Sequence, residues 1–170
     1  MKGIPRFPKR YFERYRTSPL ELKPYLSRQK EIGTKIVNEI INIVDDPKTE
    51  IVLRGSTLYK ISGKGDIDIG IYATPKRWQM GLDKLLAFYG EARVIEKTFA
   101  AFNLECNGFP IEISLMKGHQ IKVDKALTTY LLNNPKSLAE YENLKKQYCF
   151  SKREYLIQRD KFFRSIINSL

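Results

Sequence analysis

The chain has 170 residues, with 30 Lys and Arg against 19 Asp and Glu, and 42% of its side chains are hydrophobic. A chain of this size buries roughly 70% of its unfolded surface without a disulfide or zinc staple, and this composition argues for a packed core over disorder. No run of about 18 apolar residues is present, so no membrane-spanning helix or membrane partner is expected.

Residues 1–30 hold nine basic and two acidic side chains, and residues 145–170 hold seven and two. The middle, residues 31–144, is close to neutral, with fourteen basic and fifteen acidic. Residues 1–17 read as a basic N-terminal arm containing Pro5 and Pro8. In it Phe7, Tyr11, Phe12 and Tyr15 alternate with Lys2, Arg6, Lys9, Arg10, Arg14 and Arg16. Cations release counterions from phosphates and aromatic faces stack on bases, so RNA or another polyanion is one reading, and a solvated basic surface is the other. The charges have no apolar stretch behind them, which is not the pattern of a secretory signal. Two cysteines, Cys106 and Cys149, with no CxxC, fit a reducing cytoplasm.

Ser18-Pro19-Leu20-Glu21 has the form of a capping box and predicts a helix start, with Pro24 ending or restarting it. Over residues 29–44, Ile32, Ile36, Val37, Ile40, Ile41 and Val44 recur at helical spacing. Asp45-Asp46-Pro47 closes that helix, and Glu50–Arg54 reads as a strand stopped by Gly55. A short helix to Ile61 and a Ser62-Gly63-Lys64-Gly65 loop follow. Residues 66–72 alternate, with Ile67, Ile69 and Ile71 on one face and Asp66, Asp68 and Gly70 on the other. Thr74-Pro75 opens a helix carrying Trp78, Leu82, Leu85, Leu86 and Tyr89, and Gly90 ends it. Residues 92–98 and 99–106 read as strands, Asn107-Gly108 as a hairpin turn, and Phe109–Met116 as the return strand. The chain then reads as helical to its end, with breaks near Pro135 and Phe150-Ser151. The expected division is an arm (1–17), an α+β core (18–118) and a helical C-terminal region packed on the core (119–170).

Asp66 and Asp68 stand two apart on a strand and so share a face, and Glu112 lies on the polar face of a second strand. Clustered carboxylates repel unless a cation joins them, and Mg²⁺ or Mn²⁺ with substrate phosphates suits such oxygens. Gly55-Ser56-Thr57 ends a strand and opens a helix. Its glycine permits close approach, and its amides and hydroxyls are phosphate donors. Nine residues separate Ser56 from Asp66, enough for one short helix and a return. Lys64, on the loop between, is a further candidate to hold phosphate. Weaker signals are set aside. Gly63-Lys64 lacks the P-loop's first glycine, since position 58 is Leu, and Gly65 stands where it has Ser or Thr. The lone His119 gives a Ser-His-Asp triad little support. Cys106 and Cys149 suit packing, and Trp78 suits either the core or stacking on a base.

The order Leu53-Arg54-Gly55-Ser56, then Asp66-Ile67-Asp68-Ile69, then Glu112 on a later strand, resembles the nucleotidyltransferase superfamily with its polymerase-beta-like fold. Arg54 departs from the pattern, which has an apolar residue there. The resemblance covers about residues 29–117. It implies a small mixed sheet flanked by helices, and two Mg²⁺ ions held by Asp66, Asp68 and Glu112. It also implies transfer of a nucleoside monophosphate from a nucleoside triphosphate to an acceptor hydroxyl. Gly55-Ser56-Thr57, Tyr130-Leu131, Pro135, Tyr141, Leu144-Lys145 and Lys161-Phe162 resemble the GrpB family in order. That family's Asp-Pro-x-Trp opening is absent, the loop before the Asp pair is short, and Glu112 stands where many members have histidines. A catalytically inactive module of the same fold, binding RNA or a protein through its basic ends, is the alternative.

Overall fold

The computed structural model describes residues 8–170. Its contacts divide the described residues into two units, one of residues 25–60 and 65–122, the other of residues 8–24, 61–64 and 123–170.

The first unit is built on a five-stranded mixed sheet. Strands β1 (Glu50–Arg54), β2 (Ile67–Tyr72), β3 (Val94–Ile95), β4 (Phe99–Cys106) and β5 (Phe109–Met116) lie in the order β1-β2-β5-β4-β3. Only the β2–β5 pair is parallel. Asn107 and Gly108 both take positive φ, 52° and 78°, which is what a two-residue hairpin between twisted strands requires. The alternation expected in β2 and β5 sets the faces. Ile67, Ile69 and Ile71 pair in register with Ile111, Ile113 and Leu115. All six are essentially solvent-free, beneath Ile36, Ile40 and Val44 of α2 (Ser27–Val44) and Trp78, Leu82 and Leu85 of α4 (Trp78–Tyr89). Each such side chain contributes about 1.5–3 kcal/mol through burial. Trp78 is thus a core residue, 5% exposed, with the Lys117 ammonium 4.6 Å from its ring centre. Between β1 and β2 the chain forms the single turn α3 (Gly55–Tyr59).

Three local expectations change. The segment 18–24 is not helical, because its backbone is used elsewhere. The Leu20 amide donates to the Cys149 carbonyl, and Lys23 exchanges both backbone bonds with Gly63. A short helix, α1 (Lys9–Glu13), forms instead within the expected arm. The strand expected at 92–98 shrinks to Val94–Ile95, flanked by exposed Arg93, Glu96 and Lys97.

The second unit holds α1, most of α5 (His119–Asn133), α6 (Pro135–Tyr148) and α7 (Lys152–Ser169). The breaks expected near Pro135 and Ser151 occur, and the Ser151 hydroxyl caps α7 by accepting from the Glu154 amide. Phe12 is buried with Tyr155 and Leu156, with Tyr11 and Tyr15 packed beside them. Residues 8–24 are therefore grouped with the C-terminal helices.

Helix α6 clamps the 61–64 loop. The Ser62 amide donates to Glu142 Oε1 (3.0 Å), and Lys145 Nζ, on a side chain only 5% exposed, donates to the Ser62 carbonyl (2.9 Å). The Ser62 amide holds the Glu142 carboxyl below the usual glutamate range. A depressed folded-state value stabilises the protein above the unfolded value and is lost as pH falls through the folded one. The native chain is therefore expected to lose thermal stability more steeply than Glu142→Gln between about pH 5 and pH 3. Melting curves that run parallel through that range would refute the clamp's ionic character.

Candidate functional site

The polar face of the sheet carries one continuous row. Arg54 of β1 is the register partner of Asp68 of β2, Asp68 of Glu112 of β5, and Glu112 of Asn103 of β4. Register partners on neighbouring strands point to the same face, with backbones about 4.8 Å apart. The row therefore sets two adjacent carboxylates between two polar neighbours. Arg93, just ahead of β3, closes it. Its Nη2 donates to Glu112 Oε2 at 3.0 Å and its Nε to Asn103 Oδ1 at 3.3 Å. The Arg93 backbone amide donates to the Ala101 carbonyl, which anchors the side chain's start two residues from Asn103. The charge order along the sheet is plus, minus, minus, plus, so each carboxylate has a guanidinium-bearing residue on its outer side. The pair is exposed to solvent, with Arg93 and Glu112 side chains 46% and 39% accessible.

Two glycines make room for this row. Gly55 has φ of +60°, and a Cβ placed there would collide with Asp68 Oδ2. The Gly-Ser turn is thus packed directly against the carboxylate of Asp68. Gly70, two residues beyond Asp68, leaves the space that the Arg54 side chain crosses, since a Cβ there would meet Arg54 Cδ. Sequence alone marks Arg54 as an interruption of a hydrophobic pattern. In the fold it is the residue beside Asp68.

The remaining candidates fall as follows. Ser56 and Thr57 are buried, at 8% and 2% exposure. The Thr57 hydroxyl donates to the Asp66 carbonyl (3.3 Å), tying the turn to the entry of β2. Asp66 stands one residue ahead of that strand. Helix α3 has five residues, too few to supply a macrodipole of any size, so the close approach at Gly55 is the feature of this turn with structural force. Lys64 belongs to the other unit, on the loop clamped by α6. His119 opens α5 and is exposed. Among the described residues, no three His, Cys, Asp or Glu side chains come together closely enough to hold a metal ion. The structure brings Asp68 and Glu112 together and gives Glu112 to Arg93.

Arg93 and Asn103 are the site residues that sequence reasoning missed. Asn103 interrupts an otherwise mainly apolar strand, Phe99–Cys106, and that interruption is a usable signal. Arg93 gives none, because its reach to Glu112 depends on a pairing of β3 with β4 that two residues make.

No protein-family model matches the chain, and no curated protein matches it. Among solved structures it is similar to a cytoplasmic RNA terminal U-transferase, with 12% identity and a TM-score of 0.42, over 81% of this chain and 44% of that one. It is also similar to Cid1 in complex with the UTP analogue UMPNPP, with 13% identity and a TM-score of 0.42, over 74% of this chain and 42% of that one. The chain spans less than half the length of both structures.

Proposed function

We propose that this chain is a divalent-metal-dependent nucleotidyltransferase. It would move a nucleoside monophosphate from a nucleoside triphosphate to a hydroxyl acceptor and release pyrophosphate. The observation that carries the reading is the Gly55 turn packed on the Asp68 carboxylate, with Glu112 in register beside it on a parallel strand. Mg²⁺ or Mn²⁺ asks for hard oxygens and takes one or two carboxylates plus substrate phosphates, so the Asp68–Glu112 pair suffices without a third protein ligand. Asp68 and Glu112 would hold the ion, with Asp66 at the strand entry as the next donor. When bound, the ion neutralises charge on the triphosphate and on the entering and leaving oxygens.

The chain's own residues do the rest. Gly55 seats Asp68 against the turn. Thr57 fixes the backbone at Asp66, and Ser56 would contact the phosphates. Glu112 would accept the proton of the attacking hydroxyl, which requires that it leave Arg93. The GrpB resemblance rests on its sequence pattern alone and belongs to this proposal.

The Arg93–Glu112 ion pair favours a second reading, a non-catalytic module in which the guanidinium permanently holds the carboxylate. One experiment separates the two. The full chain is incubated with each labelled nucleoside triphosphate and Mg²⁺ against RNA, protein and a metabolite pool, and melted with metal and triphosphate. Transfer of label, with a melting temperature raised by metal and triphosphate, supports the enzyme. No transfer and no shift by either ligand supports the module.

A further inference from the structure

The two basic ends of the chain meet in one unit. Its described residues, 8–24, 61–64 and 123–170, hold 15 basic and 7 acidic side chains, a net +8, while the unit with the sheet holds 13 and 12, a net +1. The stitching is explicit. The Lys152 amide donates to the Ser18 carbonyl and the Arg153 amide to the Arg16 carbonyl. The Arg153 guanidinium donates to the Tyr15 and Glu13 carbonyls, at 2.9 and 2.7 Å. Arg14, which follows α1, and Lys152, which opens α7, thereby lie beside the same tyrosine rings.

Those rings line a cleft of about 150 Å³, with Tyr11, Phe12, Tyr15 and Phe163 joined by Leu156, Arg159 and Asp160. Drug-sized ligands need about 300–1,000 Å³, so this cleft admits one flat ring. The Arg14 guanidinium lies 3.8 Å from the Tyr11 ring centre and 5.1 Å from that of Tyr15, and Lys152 Nζ lies 5.8 Å from Tyr15. Unpaired bases stack on arginine planes as they do on aromatic rings, and phosphates take the surrounding cations. Asp160 does not oppose a polyanion, because both its oxygens accept from Arg164, at 2.7 and 3.1 Å.

We infer that this unit is a binding surface for single-stranded nucleic acid, with one unpaired base in the α1–α7 cleft and the backbone along Arg10, Arg14 and Arg16. The surface stands on its own charge and geometry. It adds to the transfer reading by offering a nucleic acid terminus as the hydroxyl acceptor, and that addition rests on that reading.

The test is equilibrium binding of the full chain, without metal or triphosphate, to a labelled oligouridylate over a range of salt. A matched abasic oligonucleotide, a deoxy-oligonucleotide and polyglutamate are the other probes. The unmodified chain is expected to bind the oligouridylate about tenfold tighter than the abasic strand. Arg10→Gln/Arg14→Gln/Arg16→Gln is expected to lower the slope of log affinity against log salt by about 2, since each phosphate contact contributes about 0.7 on single strands. Preference for ribose over deoxyribose assigns RNA, and equal binding assigns single strands of either kind, both within the inference. Equal affinity for the abasic strand or for polyglutamate overturns it, as does an unchanged salt slope in a triple variant that melts normally. Asp68→Asn is expected to bind the oligouridylate unchanged, so failure of the transfer reading leaves this result legible by itself.

Discussion

Asp68→Asn is expected to abolish labelled nucleotide transfer, by at least about 100-fold, while leaving the metal-free protein folded. The magnitude follows from position. Residues that merely orient metal ligands cost 10–100-fold when removed, and Asp68 is proposed as a ligand itself. The asparagine keeps the shape, so packing against Gly55 is preserved, and only the charge is lost. The effect on metal-free stability should be small for a different reason. Two adjacent carboxylates without compensation would repel, and removing one would stabilise the fold. Here Arg54 is in register with Asp68 and Arg93 is bonded to Glu112, so that strain is already relieved. Partly exposed ion pairs contribute about 0–1 kcal/mol, so a melting shift of no more than a few degrees is expected. Unchanged transfer in Asp68→Asn would place the chemistry elsewhere. Loss of transfer together with a collapse of the fold would show only that Asp68 is structural, whereas loss of both transfer and metal binding in a variant that melts normally supports its proposed role as a ligand.

The sequence carried the sheet's faces well and its pairings poorly. Alternation in residues 66–72 and 109–116 announces which residues are buried, because the side-chain period of a strand is two and needs no partner to be read. That Asp68 and Glu112 fall opposite one another is a matter of register between segments 44 residues apart, which no local pattern encodes. The Asn107-Gly108 hairpin was legible because two consecutive positive φ angles restrict the residue types severely. Ser18–Glu21 misleads for the opposite reason. Its capping box is a true local preference, but Leu20 and Lys23 give their backbone groups to Cys149 and Gly63, and tertiary pairing overrides it. The basic ends were visible as composition. Their meeting in one unit depends on Arg153 and Lys152 bonding the carbonyls of residues 13–18, again a long-range event.

Gly55→Ala is expected to destabilise the chain and to displace Asp68, and the two costs are separable. Alanine at φ +60° costs about 1–2 kcal/mol wherever it occurs, because Cβ crowds the following carbonyl. The added methyl also overlaps Asp68 Oδ2, so the carboxylate must leave its seat. In Asp68→Ala the overlapping oxygen is gone, and the methyl instead meets the Asp68 Cβ position at 3.4 Å, an ordinary if close contact. Gly55→Ala made in that background should therefore cost only the backbone share. The double-mutant cycle should show positive coupling of about 0.5–3 kcal/mol, the range found for residues in contact. Denaturant unfolding of the four proteins measures it directly. Strict additivity would mean that the turn and the carboxylate do not touch in solution. The structural support for the nucleotidyltransferase reading would then be gone, since the contact between Gly55 and Asp68 is what joins the Gly-Ser turn to the carboxylate pair.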